Sequence, residues 1–532
     1  MLKKWLIGLF MMSMLLLSIH MPTTAATAVQ APGGEVTSYE ELAVALGGEA
    51  ATQLKLASED DPESKVSHLL ILSDICLAAP VVITEGEYVI IGAGIEITAS
   101  FTDGSFFEVG GDKEVTLILG SSQVQTDNEN IILNGGKQTR KGSLLSIGND
   151  ATVAVFTGTV FCDSITEVAG GAIANDGTFV MYGGIIENCS SMGSGGAISS
   201  RGTVLLPEGG MIVGCSAEFG GALYNEGEAT LAGTEIKECA ATKGGAIFNA
   251  NELEFHNSTV SHCRATQGGG LYNSGVAQLK SGQILSCQAE NGEGGAIYNS
   301  GTLTQAGTYI NENSAKNGGS LYNAGDAEIK DGQIYSGTAT EAGGHVYNEP
   351  NAKLVVDGGS LGRGKAKLGG GIYNLGDLTV TGGGFHSNKA DFGQAILNHG
   401  SLIFEKFPYV DDKNDVFIVI DEDNPHAIRI QSEMKADCIA VLTPGKQTAD
   451  GYAYGYEEGV CLLMGDYVKD GYSHFKITPE NGAEWLLNAD GALVKPVPVY
   501  RQAWFYFALV GCFAVVVAVM VLSVRFFDKK RA

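Results

Sequence analysis

Gly294-Gly295-Ala296-Ile297-Tyr298-Asn299-Ser300-Gly301 decides the reading of this 532-residue chain, because it returns. Near-copies stand at Gly220-Gly221-Ala222-Leu223-Tyr224-Asn225, Gly244-Gly245-Ala246-Ile247-Phe248-Asn249 and Gly268-Gly269-Gly270-Leu271-Tyr272-Asn273. Degenerate copies reach Gly343-Gly344-His345-Val346-Tyr347-Asn348 and Gly369-Gly370-Gly371-Ile372-Tyr373-Asn374. The closing asparagines occupy 175, 225, 249, 273, 299, 323, 348, 374 and 398, with Ser200 filling one gap, so the step is 24 to 26 residues. A fixed period of this size means stacked supersecondary units, not a string of separate cores.

Each unit divides into three short strands. The first, Ala296-Ile297-Tyr298, ends at Asn299-Ser300-Gly301, where Asn and Gly tolerate positive φ. The second alternates, as in Ala327 and Ile329 against Glu328 and Lys330, the period of a half-buried strand. The third carries Ile236, Val260, Ile284, Ile310 and Ile334, after which a polar turn leads back to Gly-Gly. Three strands per unit predict an all-β, right-handed parallel β-helix, regular over 170–400 and rising about 4.8 Å per coil. A leucine-rich-repeat horseshoe shares the period, but the unit has no Leu-x-x-Leu-x-Leu strand and no Gly-free stretch long enough for a helix.

Outside the repeat, 66–169 reads as early, irregular coils and 401–494 as C-terminal β-rich coils and a cap. Residues 29–65 predict a flexible leader followed by a capping helix, started by the capping box Ser38-Tyr39-Glu40-Glu41. The first 28 residues, with Lys3-Lys4, the apolar run Trp5 to Ile19 and Ala26-Thr27-Ala28, have the parts of a signal peptide. After a stalk at 495–502, the uncharged stretch 503–524 is long enough for a transmembrane helix, and the basic tail 525–532 predicts a cytoplasmic C-terminus. Together these predict a single-pass protein of the cell membrane with an extracellular ectodomain.

Net charge is −27, which argues against nucleic acid as a partner. Gly is abundant, 74 residues against 12 Pro, yet lacks the every-third spacing of collagen.

Three columns recur from coil to coil. Cys189, Cys215, Cys239, Cys263 and Cys287 form a ladder, continued by Asn313, Gly337, Gly364 and Asn388. A row offers zinc its ligands from one direction only, and side chains in register sit slightly too far apart for disulfides, so buried free thiols are expected. The asparagines predict a stacked amide ladder that satisfies turn backbone groups. The aromatic column, Tyr224, Phe248, Tyr272, Tyr298, Tyr322, Tyr347 and Tyr373, alternates with core-facing Ile and Leu. It should therefore turn outward, beside the small Ala/Gly/Ser column, as a shallow binding platform for sugars or extended peptides. The alternative is rings that only stabilise the sheet by stacking on one another.

Chemistry-bearing motifs are sparse. The nine histidines are scattered, and neither His-Glu-x-x-His nor Gly-x-Ser-x-Gly occurs. The acidic runs Asp411-Asp412-Lys413-Asn414-Asp415 and Asp421-Glu422-Asp423 read first as loops and second as weak Ca²⁺ sites. No catalytic residue, metal site or cofactor is assigned, and an enzyme is not expected.

Gly-Gly-Ala-Ile, paired with Phe385-His386-Ser387-Asn388 and variants such as Ile310-Asn311-Glu312-Asn313, resembles the repeats of chlamydial polymorphic outer-membrane proteins. It is similar also to repeats of adhesin-like surface proteins of Gram-positive bacteria and gut archaea. The resemblance covers about 170–400 and implies surface display and adhesion. Its partners would be extracellular glycans or surface proteins of a host or neighbouring cell. A structural spacer or surface coat, and a polysaccharide-cleaving β-helix enzyme, are the alternatives. The chain departs from the outer-membrane members in lacking a C-terminal barrel of alternating strands, which puts autotransport in doubt and favours a single-membrane cell.

Overall fold

A computed structural model describes residues 34–36, 42, 66–92, 94–120, 131–207, 209–406, 408–421, 426–434, 439–496 and 503–529. The expected signal peptide, most of the capping helix, the stalk from 497 onward and the end of the tail lie outside the described residues.

One regular coil shows how the sequence folds. Leu271–Asn273 forms the first strand, Val276–Leu279 and Gly282–Leu285 the next two, and Gln288–Glu293 a fourth. Each lies parallel to its counterpart one coil on, in one-to-one register through the first three: Tyr272 beside Tyr298, Ala277 beside Leu303, Ile284 beside Ile310. The result is an all-β parallel β-solenoid. Its core is the stack of inward residues, with Leu271, Ala277, Leu279, Ile284 and Cys287 all buried.

The fourth strand corrects the expectation of three strands and a polar turn. Arg264–Gln267, Gln288–Glu293, Ser314–Asn317 and Thr338–Ala342 form a sheet of their own. Its side chains are mostly polar, with one or two small inward residues such as Ala289, Ala315 or Ala339, so no apolar alternation marks it in the sequence.

Two corners make the coil close. Between the third and fourth strands one residue per coil takes a left-handed conformation, and nine of these are not glycine: Asp163, Asn188, Glu238, His262, Ser286, Glu312, Ser336, Arg363 and Ser387, with φ between 51° and 62°. The Gly-Gly pair makes the other corner. Gly294 has φ 69°, and a Cβ on Gly295 would fall 2.2 Å from the Gly319 carbonyl oxygen, so neither position accepts a side chain.

The asparagine column forms the expected ladder. Each side-chain Nδ2 from Asn225 to Asn374 donates to Oδ1 of the next asparagine at 2.7–2.9 Å. Most also donate to a main-chain carbonyl of the following coil, for example Asn273 to Thr302 O at 3.0 Å. The cysteine ladder is likewise as expected: Cys189 to Cys287 are free and buried, each Sγ within 3.3–3.5 Å of the carbonyl two residues earlier. Hydrogen bonding among neighbouring thiols, with burial, holds Cys215 and Cys263 well above the ordinary thiol range.

His345 breaks the small column. It is buried among residues that replace the cysteine ladder with glycine: a Cβ on Gly337 would lie 2.7 Å from its Nδ1, and one on Gly364 2.6 Å from its Cδ2. The imidazole thus fills the space those side chains leave. Its Nε2 pairs with Gly362 O at 3.0 Å, Nδ1 has no partner, and desolvation pushes its pKa down to about 4.

At the N-terminal side the expected leader is corrected. Gly34–Val36 is a strand pairing in parallel with Val66–Ile71, because Gly34, Glu35 and Val36 align with Leu69, Leu70 and Ile71. Leu42, from the predicted capping helix, is helical and fully buried. The early coils hold a buried Arg140, which donates to the carbonyls of Gly135, Phe101 and Ala99 and lies over the Phe106 ring at 4.9 Å.

Beyond 400 the stack continues through Asp415–Val419, Ala440–Thr448 and Phe475–Ile477. Two antiparallel pairings then appear. Ala440–Thr448 turns into the hairpin partner Gly451–Tyr454, and Leu486–Leu487 pairs with Leu493–Val494. The first acidic run is a turn that keeps a buried asparagine in the cysteine-ladder column: Asn414 Oδ1 accepts from Asn388 N at 3.0 Å. Ala503–Lys529 is an α-helix of 27 residues, of which only the side chains at 508, 510–521 and 523 are described. Among the described residues no helix is long and apolar enough to cross a membrane.

Candidate binding face

The seven aromatic residues form one continuous row on the first-strand sheet. Successive ring centroids lie 4.8–5.2 Å apart from Tyr224 to Tyr373, and from Phe248 to Tyr347 the rings are parallel within 8°. Register explains this: the neighbouring aliphatics point into the core, so the aromatics point away and meet the ring one coil on. Ring faces are therefore covered by neighbouring rings, and only the edges of the half-buried members reach solvent.

This modifies the expected platform in three ways. Tyr322 and Tyr373 are buried, at 5% and 9% exposure, while Tyr224, Phe248, Tyr272, Tyr298 and Tyr347 are half-buried. The small column does not flank the row, because Ala222, Ala246 and Ala296 are wholly buried at the Gly-Gly corner. Instead the fourth-strand sheet supplies the flank, a column running Phe219, Lys243, Gln267, Glu293, Asn317, Ala342, Leu368 and Phe392. Phe219 meets Phe248 edge to face at 5.7 Å, and Lys243 Nζ lies 5.0 Å from the centre of the Tyr272 ring. The flank thus passes from Phe219 and cationic Lys243 at the N-terminal end, through polar and anionic Gln267, Glu293 and Asn317 at mid-row, to apolar Ala342, Leu368 and Phe392 at the C-terminal end.

The two ends of the row differ. In the coil before Tyr224 the equivalent position is Ser199, so among the described residues no ring covers that face of Tyr224. Its hydroxyl donates to Glu226 Oε1 at 2.7 Å. At the other end the row passes from Tyr373 to Leu397 and Phe417 and is covered by the protein's own hairpin. Tyr452 packs there against Phe417, its hydroxyl 2.9 Å from that of Tyr373 and 3.3 Å from His399 Nδ1.

Burial keeps these phenols protonated. Desolvation, with weaker effects of neighbouring groups, pushes Tyr224, Tyr298 and Tyr347 up to about 12, and drives Tyr322 and Tyr373 further upward. The row is thus an uncharged strip of phenol edges on a protein whose net charge is strongly negative.

His399, Asp421 and His426 gather close to the covered end, one ligand atom of each lying within 4.8 Å of the others. The sequence reading missed this group. Its signal was the separation of His399 and His426 by one coil, which stacks them; their rings stand 5.0 Å apart. The flanking column was missed for the same reason as the fourth strand that carries it.

The chain matches no known protein family, no curated protein and no solved structure.

Proposed function

We propose that the chain is a right-handed β-solenoid, secreted by its N-terminal signal and anchored by its C-terminal helix. It is displayed on a cell surface and binds extended protein segments of a partner surface along the aromatic row. Right-handedness follows the preference of parallel crossovers. Anchoring is supported by the uncharged 503–524 sequence and by the exposure of Val510, Phe513, Val515 and Met520. Surface display and adhesion also accord with the repeat resemblance described above.

One observation carries the binding reading: the chain already lays a tyrosine-bearing hairpin on one end of its own row. Tyr452 packs its ring against Phe392 and Phe417 and meets the Tyr373 hydroxyl with its own. The half-buried ring edges of Phe248, Tyr272 and Tyr298, with the hydroxyls of the two tyrosines, offer like contacts to another polypeptide. Each coil repeats the offer, so weak contacts gain by avidity.

The test is an array of extracellular-matrix proteins, cell-surface proteins and glycans. It is probed with the chain and with the triple variant Phe248→Ala, Tyr272→Ala, Tyr298→Ala; Tyr322 is left intact because it is buried. Binding to proteins that falls at least tenfold in the variant is expected. Capture of glycans alone would replace the ligand class, and binding unchanged by the variant would sink the row as the binding face. A second reading, a rigid spacer, is favoured by the same stacking, since rings that cover one another need no other purpose. Absence of any binding would establish it. Alkaline extraction of membranes carrying the chain tests the anchor, with release into the supernatant as the contrary outcome.

A further inference from the structure

We propose that His399, His426 and Asp421 bind a divalent first-row metal ion of the Zn²⁺ class, and that the ion staples the Gly451–Tyr454 hairpin over the end of the aromatic row. His399 follows Ile396–Asn398 in one coil; in the next, Asp421 follows Asp415–Val419 and His426 precedes Ile428–Ile430. His426 is oriented as a ligand. Its Nδ1 lies 3.1 Å from Gly400 O, a group that can only accept, so Nδ1 carries the proton and Nε2 keeps its lone pair. That Nε2 stands 3.5 Å from Asp421 Oδ2, about the separation that two ligands each about 2.1 Å from one tetrahedral ion take. One ligand atom from each of the three residues lies within 4.8 Å of the others.

His399 links the site to the hairpin. Its Nδ1 faces the Tyr452 hydroxyl at 3.3 Å, and that hydroxyl faces Tyr373 at 2.9 Å. An ion on His399 Nε2 would leave the proton on Nδ1, so that Nδ1 donates to Tyr452 and Tyr452 donates to Tyr373. The relay then has one direction, and Tyr452 is held in place. Two imidazoles and a carboxylate suit Zn²⁺ better than Ca²⁺ or Mg²⁺, which take all-oxygen sets. Three protein ligands also leave a coordination position open.

The test uses the full-length, metal-stripped chain, titrated with ZnCl₂ by calorimetry and with CoCl₂ by visible absorbance. One ion per chain is expected, with a Co²⁺ ligand-field band. Asp421→Asn, on a side chain 46% exposed and therefore tolerated by the fold, should weaken uptake at least tenfold. His399→Ala should abolish it, and His262→Ala, at an exposed corner, should leave it unchanged. Lack of saturable uptake by the parent, or uptake by Asp421→Asn and His399→Ala equal to the parent's, overturns the site. Hydrogen exchange of amides 451–454 reads the staple separately. Zn²⁺ should slow it in the parent and not in Asp421→Asn, and uptake without slowing overturns the staple.

Discussion

The regular coils and the early coils occupy the same solenoid with the same strand register, yet fill equivalent positions differently. The turn column that is asparagine from 225 to 398 is Ile83, Val109 and Ile147 in the early coils, and Ile418 after the ladder ends. The column that is aromatic from Tyr224 to Tyr373 is Val82, Glu108, Ser146, Ala174 and Ser199 before it. Backbone pairing therefore does not require either ladder. The regular coils distribute turn satisfaction over a chain of identical amides, whereas the early coils concentrate it on single groups such as Arg140. A distributed solution tolerates local damage, and a concentrated one does not.

The largest expected effect follows from that concentration. Arg140→Met keeps much of the buried volume but removes donors from three carbonyls, and should cost roughly 4 kcal/mol, read as a shift in denaturant midpoint. A cost below about 1 kcal/mol would show that the early coils do not depend on it.

His345 is the concentrated element inside the regular coils. Its pKa lies near 4 in the fold against an ordinary 6.5, so the unfolded chain takes up the proton first as pH falls. Stability should drop by about 1.4 kcal/mol per pH unit as pH falls from 6.5 toward 4, roughly 3 kcal/mol in all. His345→Ser, which copies Ser320 one coil earlier, should be less stable at neutral pH and should lack that slope. Unfolding midpoints of both proteins across this range provide the check.

Extending the amide ladder gives a smaller effect of informative sign. Asn175 Oδ1 is buried and unpaired because Ile147, one coil before it, has no donor. Ile147→Asn supplies one, whereas Val109→Asn meets Ile147 and finds none. Both substitutions lose apolar burial, but Ile147→Asn should be less damaging by about 2 kcal/mol. Equal costs would mean that the ladder does not propagate.

The smallest effect concerns the left-handed corner. Glu238 sits at φ 58°, where a neighbouring coil has Gly214 at 65°. Glu238→Gly should stabilise by up to about 1 kcal/mol, since the strain of a side chain there outweighs the entropy that glycine adds to the unfolded chain. Thermal unfolding distinguishes this from the loss expected of glycine in an ordinary strand.

How much of this was legible depended on whether a position repeats. The solenoid, the asparagine ladder and the free cysteine ladder were readable because period and residue type coincide at Asn225, Asn249 and Asn273, and at Cys215 and Cys239. The fourth strand was not, because Arg264–Gln267 and Gln288–Glu293 are held by main-chain pairing and show no apolar alternation. Alternation correctly set Tyr298 opposite Ile297. It could not report that seven rings in register would use one another's faces, or that Tyr452, 79 residues from Tyr373, would return to cover it. Nor could it find His399 and Asp421, whose nearness comes from loops and not from the repeat.

The pairing of Leu486–Leu487 with Leu493–Val494 bears on how these molecules behave in a crowd. A stack of parallel strands ends in a row of unpaired main-chain donors and acceptors, an edge on which the first coil of another copy could dock and start a filament. Here Leu493, from that pair, also runs antiparallel to the final coil, its N–H donating to Val460 O while Leu462 N donates to Gly491 O, so at that edge an incoming coil meets a strand of unmatched direction. A design that adds coils freely within one polypeptide is thereby kept from adding them across polypeptides at that end.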